Sequence, residues 1–252
     1  MTLQLNGIWW LLLTLGPLLF LQRRLHREIQ AILLLITRRM DLTLALFSLI
    51  FLPGVLVHEV SHYLMARLLG VRTGRFSIFP QPLQDGRLQM GYVETARTDL
   101  VRDALIGAAP FFAGGLIVTY VGLIRMGLYD FWQVVLSAEA PTIAQNLLSL
   151  PKQADFWVWF YIVFTVSSTM LPSASDRRAW LPLGIGLALL FLVSILVGAG
   201  PWLLENASEP FNLMMSALAT VMGISAVVHL ILWIPTGLLH LTLSRITGYE
   251  VS

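Results

Sequence analysis

His58-Glu59-Val60-Ser61-His62 puts two imidazoles and a carboxylate into the apolar stretch "PGVLVHEVSHYLMARLLG". On a helix, residues four apart share a face, so both imidazoles can meet one metal ion at about 2.0–2.1 Å. Glu59 follows His58 directly and points to one side. From there it can reach a water on the metal without taking a coordination place. Zinc lowers the pKa of such a water to about 7, and the carboxylate can take its proton. For this length and His and Glu content, chance gives the pattern roughly 0.003 times per chain. A charged residue at the centre of a membrane helix costs roughly 2.5–3.5 kcal/mol, so residues of this kind are functional or paired. A purely structural polar cluster is the alternative.

Two protein ligands do not complete a catalytic zinc site, which normally has three plus water. The chain has no cysteine, so the third must be His, Asp or Glu. Glu94, Asp99, Asp103, Asp176, His229 and His240 are the candidates. Asp176 stands out in "FTVSSTMLPSASDRRAW". Pro172 should end a helix there, and the loop after it can turn a carboxylate back into a bundle. The competing role for Asp176 is an N-cap of the following helix.

The elements that must position these residues are membrane helices. The chain of 252 residues is 57% hydrophobic and 12% charged, against about 25% charged for an ordinary soluble domain. Its mean hydropathy is +0.77. A formal charge of +2 gives no basis for nucleic-acid binding. The expected fold is an all-α polytopic membrane protein with about six transmembrane helices and a small β-hairpin after the H-E-x-x-H helix. Candidate spans are 8–21, 42–69, 100–124, 156–171, 180–197 and 211–243, against the roughly 20 apolar residues a span needs. The first reads as a retained span, because its basic residues follow the apolar run. The 22–40 stretch has charged ends around a short apolar centre and reads as interfacial or re-entrant. His26 is expected at the membrane interface, and His229 and His240 as bundle-facing, hydrogen-bonded histidines. Residues 73–95 alternate like a hairpin around a Pro/Gly/Asp turn. Gly107, Pro110, Gly114 and Gly115 permit close packing and a kink in the third span. Residues 129–155 read as a short surface helix with loops.

These features together resemble the site-2 protease family of zinc intramembrane proteases. The shared order is His58–His62 in one span, the 73–95 hairpin, the 107–115 glycine/proline cluster, and Asp176 after Leu171-Pro172. The resemblance covers roughly residues 41–178. It divides the chain into an N-terminal span and interfacial helix (1–40), a zinc protease core (41–178) and C-terminal transmembrane helices (179–252). It implies Zn2+ held by His58, His62 and Asp176, with Glu59 as catalytic base. It also implies a zinc site near the cytosolic end of the spans and both chain termini inside. Ser168 stands where the family carries a substrate-positioning asparagine, and Arg177 where it carries a glycine. A hydroxyl from Ser168 or Thr169 is expected to do part of the asparagine's work. Arg177 and Arg178 are expected to face away from the metal, whose charge they would oppose.

The implied function is a zinc-dependent endopeptidase, multi-pass in the cell membrane. It would cut transmembrane or membrane-associated proteins within or near the bilayer. One alternative is a membrane metalloprotease acting on exposed tails, with Glu94 as third ligand. The other is a non-catalytic zinc-binding scaffold, which would tolerate Glu59→Gln.

Overall fold

The computed structural model describes residues 6–82 and 88–249. The turn expected within 83–87 lies outside the described residues. Helix dominates: α1 (Asn6–Thr37), α2 (Met40–Leu68), α3 (Leu100–Tyr120), α4 (Leu128–Ser137), α5 (Ala140–Ser149), α6 (Phe156–Thr169), α7 (Trp180–Ser194) and α8 (Gly200–Thr247). A π-helical turn, Val121–Arg125, prolongs α3. Three helical stretches are long and apolar enough to cross a membrane: Met40–Leu68, Leu100–Arg125 and Trp180–Thr247. The last has 68 residues and bends at Gly198, whose φ of 89° suits glycine.

The strands are β1 (Thr73–Ser77), β2 (Gln81–Pro82), β3 (Leu88–Gln89) and β4 (Tyr92–Thr95). β1 pairs antiparallel with β4, with Phe76 opposite Val93, and β2 pairs with β3. The hairpin expectation over 73–95 therefore matches the chain path, in two short ladders.

Contacts between elements fix the helix directions. Tyr161 Oη donates to the Ile50 carbonyl and His58 Nδ1 bonds the Thr169 carbonyl, so α2 and α6 run parallel. His26 packs edge-on against Phe47 and Phe51, and Thr37 meets Thr43, so α1 runs antiparallel to α2. Gly7 bonds Asn212, Phe20 meets Trp233, and Glu28 meets His240, so α1 and α8 are parallel. The core between them is built from Leu18, Leu25, Phe47, Phe51, Val118, Val163, Phe164 and Met222.

Four expectations are corrected here. The 22–40 stretch is no separate re-entrant helix, since residues 6–37 form one continuous α1. Its arginines face outward while Leu18, Leu21, Leu25 and Ile32 are buried, so one apolar stripe carries the helix through the charged stretch. His26 is consequently turned inward, with its Nε2 buried. The parallel run of α1 and α8 places Asn6 and Gly248 at opposite ends of the bundle, contrary to termini on one side. The expected fifth span does form a helix, α7, at the start of the long apolar Trp180–Thr247 stretch, and none of its residues is buried. It leaves the bundle beside Ala104, where Trp180 Nε1 donates to that carbonyl, and α8 enters the bundle at the same end. The 129–155 segment holds two amphipathic helices, α4 and α5, neither with a buried residue.

Candidate metal centre

Close helix packing brings the site together. Gly54 lies one turn before His58, and a Cβ there would run into the Thr165 carbonyl and sit 2.5 Å from Thr169 Oγ1. Its absence lets α6 press against α2 just below the motif. Gly107 does the same for the loop after α6, because a Cβ there would strike the Asp176 carbonyl. The Asp176 loop is thereby seated on α3, beside the C-terminal half of α2.

Prolines then supply the acceptors that orient the histidines. Pro110 has no N–H, so the carbonyl of Ile106, four residues earlier, lacks its helical partner. His62 Nδ1 bonds that carbonyl at 2.8 Å. Pro172 stops α6, leaving the Thr169 carbonyl free at the helix end. His58 Nδ1 bonds it at 2.7 Å. A carbonyl only accepts, so each Nδ1 carries the proton and each Nε2 presents its lone pair.

His58, His62 and Asp176 form a candidate metal site, with one ligand atom from each lying within 4.8 Å of the others. The two Nε2 atoms are 3.2 Å apart. Asp176 Oδ1 is 3.3 Å from His62 Nε2, and Oδ2 is 3.7 Å from His58 Nε2. A tetrahedral ion with bonds near 2.05 Å separates its ligands by about 3.3–3.4 Å. These separations are near that spacing, so the three donors could hold one four-coordinate metal ion. The Asp176 carboxylate accepts from the Ser173 N–H, and no proton on either Nε2 is left to pair with it. A carboxylate therefore faces two imidazole lone pairs, three acceptors with no proton between them, which is an arrangement a metal cation satisfies. Asp176 does not cap α7, whose N-cap is Ala179 with no side-chain bond. Its carboxylate instead closes its own loop, accepting from Ser173 N at 2.7 Å.

The other candidate ligands are engaged elsewhere. Glu94 bonds Arg75 at 3.1 Å on the hairpin. Asp99 caps α3, accepting from Val101 N and Arg102 N. Asp103 pairs bidentately with Arg178 at 2.6 and 2.7 Å. His229 bonds Ser168 and the Ser225 carbonyl, and His240 bonds Glu28.

Glu59, His58, His62 and Asp176 line one cavity of about 730 Å³. Thr169 lines it too, with its hydroxyl turned back to the Thr165 and Val166 carbonyls. Ser168 does not face it. Its Oγ bonds His229 Nε2 at 3.0 Å, and its carbonyl accepts from Gln22 at 2.6 Å, both inside the α1–α6–α8 core. One step along a helix turns a side chain by about 100°, so Ser168 and Thr169 cannot share a face. Arg178 lines the cavity instead of facing away, with its charge held by Asp103. Arg177 bonds the Ser173 carbonyl.

The hairpin contributes a residue that sequence reasoning missed. Gly91 sits against Glu59, where a Cβ would come 2.7 Å from Cγ and 2.9 Å from Oε1. The available signal was a glycine between strand residues, which marks close backbone approach.

The chain matches no protein-family model, no curated protein and no solved structure.

Proposed function

We propose that the chain is a zinc endopeptidase of the site-2 protease type, cutting membrane proteins within or near the bilayer. The observation that carries this reading is the convergence of His58, His62 and Asp176 beside a buried Glu59 in one cavity between the apolar helices and the hairpin. Zinc bound there would supply Lewis-acid polarisation of a carbonyl and acidification of water.

The residues of the chain do the rest. Thr169 and Ile106 carbonyls hold the two imidazoles in their ligating tautomer. Glu59 takes a proton from the water whose oxygen bonds the scissile carbonyl carbon, and gives it to the amine as the C–N bond breaks. Apolar walls such as Val55 and Leu171 limit water around it. A helical substrate must unwind to offer its carbonyl, and the edge of β4 that is unpaired among the described residues, which borders the cavity, can hold the unwound segment by strand addition. In the bilayer, α1, α2, α3, α6 and the second half of α8 are the crossing helices. α7, apolar all round and exposed, then lies against lipid.

The test is purified protein in detergent or nanodiscs, assayed for metal content and for cleavage of model transmembrane peptides. Wild type should cleave and contain zinc. Glu59→Gln should keep the zinc and lose about 10²–10⁴-fold in rate. Near-native cleavage by Glu59→Gln would remove Glu59 as the base, and a zinc-loaded wild type without cleavage would favour a binding protein.

A further inference from the structure

Arg23, Arg24 and Arg27 have no part in the proposed chemistry. All three are exposed on α1, and none has an acidic partner among the described residues. The neighbouring carboxylate, Glu28, is taken by His240 Nδ1 at 2.5 Å. With Gly16, Leu19 and Phe20 the arginines line a surface groove of about 420 Å³. All six positions fall on one face of the helix. At Gly16 a Cβ would meet nothing within 4 Å, so the groove floor is open there. Phe20 forms an edge contact with Trp233 of α8, and the Arg24 guanidinium lies 5.7 Å from the Phe20 ring. The groove is thus apolar at one end and three times cationic at the other.

Its depth matches that division. At about 1.5 Å per residue, Arg23 and Arg27 lie about 23 and 29 Å along α1 from Ile8, close to the roughly 30 Å thickness of bilayer hydrocarbon. Exposed Trp9 and Trp10 mark one boundary in the manner of an aromatic belt. At the other, Arg125 stacks over Trp159 at 4.6 Å. The pairing of Tyr161 with Ile50, and of His26 with Phe47 and Phe51, sets Trp159 level with the Arg24–Arg27 turn. The guanidinium groups therefore reach headgroup level while Gly16, Leu19 and Phe20 remain in hydrocarbon.

We propose that this groove binds an anionic glycerophospholipid, its phosphate on Arg23, Arg24 and Arg27 and one acyl chain along Gly16, Leu19 and Phe20. Charge selects the class. A zwitterionic lipid brings its own cation into a cluster of three guanidinium groups, whereas an anionic headgroup brings only the charge they lack. The proposal rests on the bilayer reading and not on zinc chemistry, so Glu59→Gln protein should bind the lipid as wild type does.

The experiment is native mass spectrometry of the full chain in detergent, titrated with dioleoyl phosphatidylglycerol or dioleoyl phosphatidylcholine. Wild type should hold the anionic lipid more tightly. Arg23→Gln, Arg24→Gln and Arg27→Gln should each weaken it about fivefold, and the triple variant should lose the preference. Gly16→Leu adds a side chain whose Cβ meets nothing within 4 Å, so it should keep the fold, occupy the floor and lose lipid affinity. It decides the matter should the triple variant not fold. Millimolar inorganic phosphate should not displace the lipid. Equal affinity for both lipids, an undiminished preference in the folded arginine variants, full binding by Gly16→Leu, or displacement by phosphate would each overturn the proposal.

Discussion

Pro110→Ala should weaken zinc binding although it removes a helix breaker. Pro110 is fully buried inside α3, four residues after Ile106. An alanine there restores an N–H aimed at the Ile106 carbonyl, and that bond draws the oxygen back toward the helix axis. The same oxygen now accepts from His62 Nδ1 at 2.8 Å. Competition for it loosens the imidazole and its tautomer. Losing such an outer partner typically costs about 10–100-fold in metal affinity, or about 1.4–2.7 kcal/mol. Removing proline from a helix interior contributes up to about 3 kcal/mol in the opposite direction, offset by the smaller side chain in the core. Zinc affinity and helix stability are therefore not expected to fall together. The assay strips the protein with a chelator, titrates zinc back against a chromophoric competitor, and records a thermal melt of the apo form. An intact α3 with zinc affinity within threefold of wild type would refute the idea that a proline-freed carbonyl orients His62.

Gly91→Ala should spare zinc and reduce cleavage. The added carbon lies 2.7 Å from Glu59 Cγ, and ordinary contact begins near 3.4 Å, so strand or carboxylate must shift by at least about 0.7 Å. A displacement of that size costs on the order of 10²-fold in rate, and unchanged turnover would place the hairpin away from the base. His58→Ala, His62→Ala and Asp176→Ala should each lose most bound zinc, while Glu94→Ala, which removes only the partner of Arg75, should keep it. Stoichiometric zinc in Asp176→Ala would exclude it as the third ligand, whatever the activity.

Local pattern carried the long apolar helices, the helix-borne His58–His62 pair, the hairpin and the break at Pro172. Each follows from periodicity, hydropathy or a proline's missing N–H, which act over a few residues. Asp176 could be singled out among six candidate ligands by its place after a proline. What set the others aside was the partners they found at long range: Arg75 for Glu94, Arg178 for Asp103, Ser168 for His229 and Glu28 for His240. Ser168 and Thr169 were indistinguishable as hydroxyls in one run. The packing of α6 between α2 and α8 turned one into the core and the other to the cavity. Pro110 and Gly107 read as a kink and a packing glycine, yet their effects concern His62 and the Asp176 loop, 48 and 69 positions away in the chain. The direction of α8, the inward turn of His26 and the isolation of α7 had no local signal either. An apolar helix is equally apolar in either direction, and only its neighbours decide which way it runs.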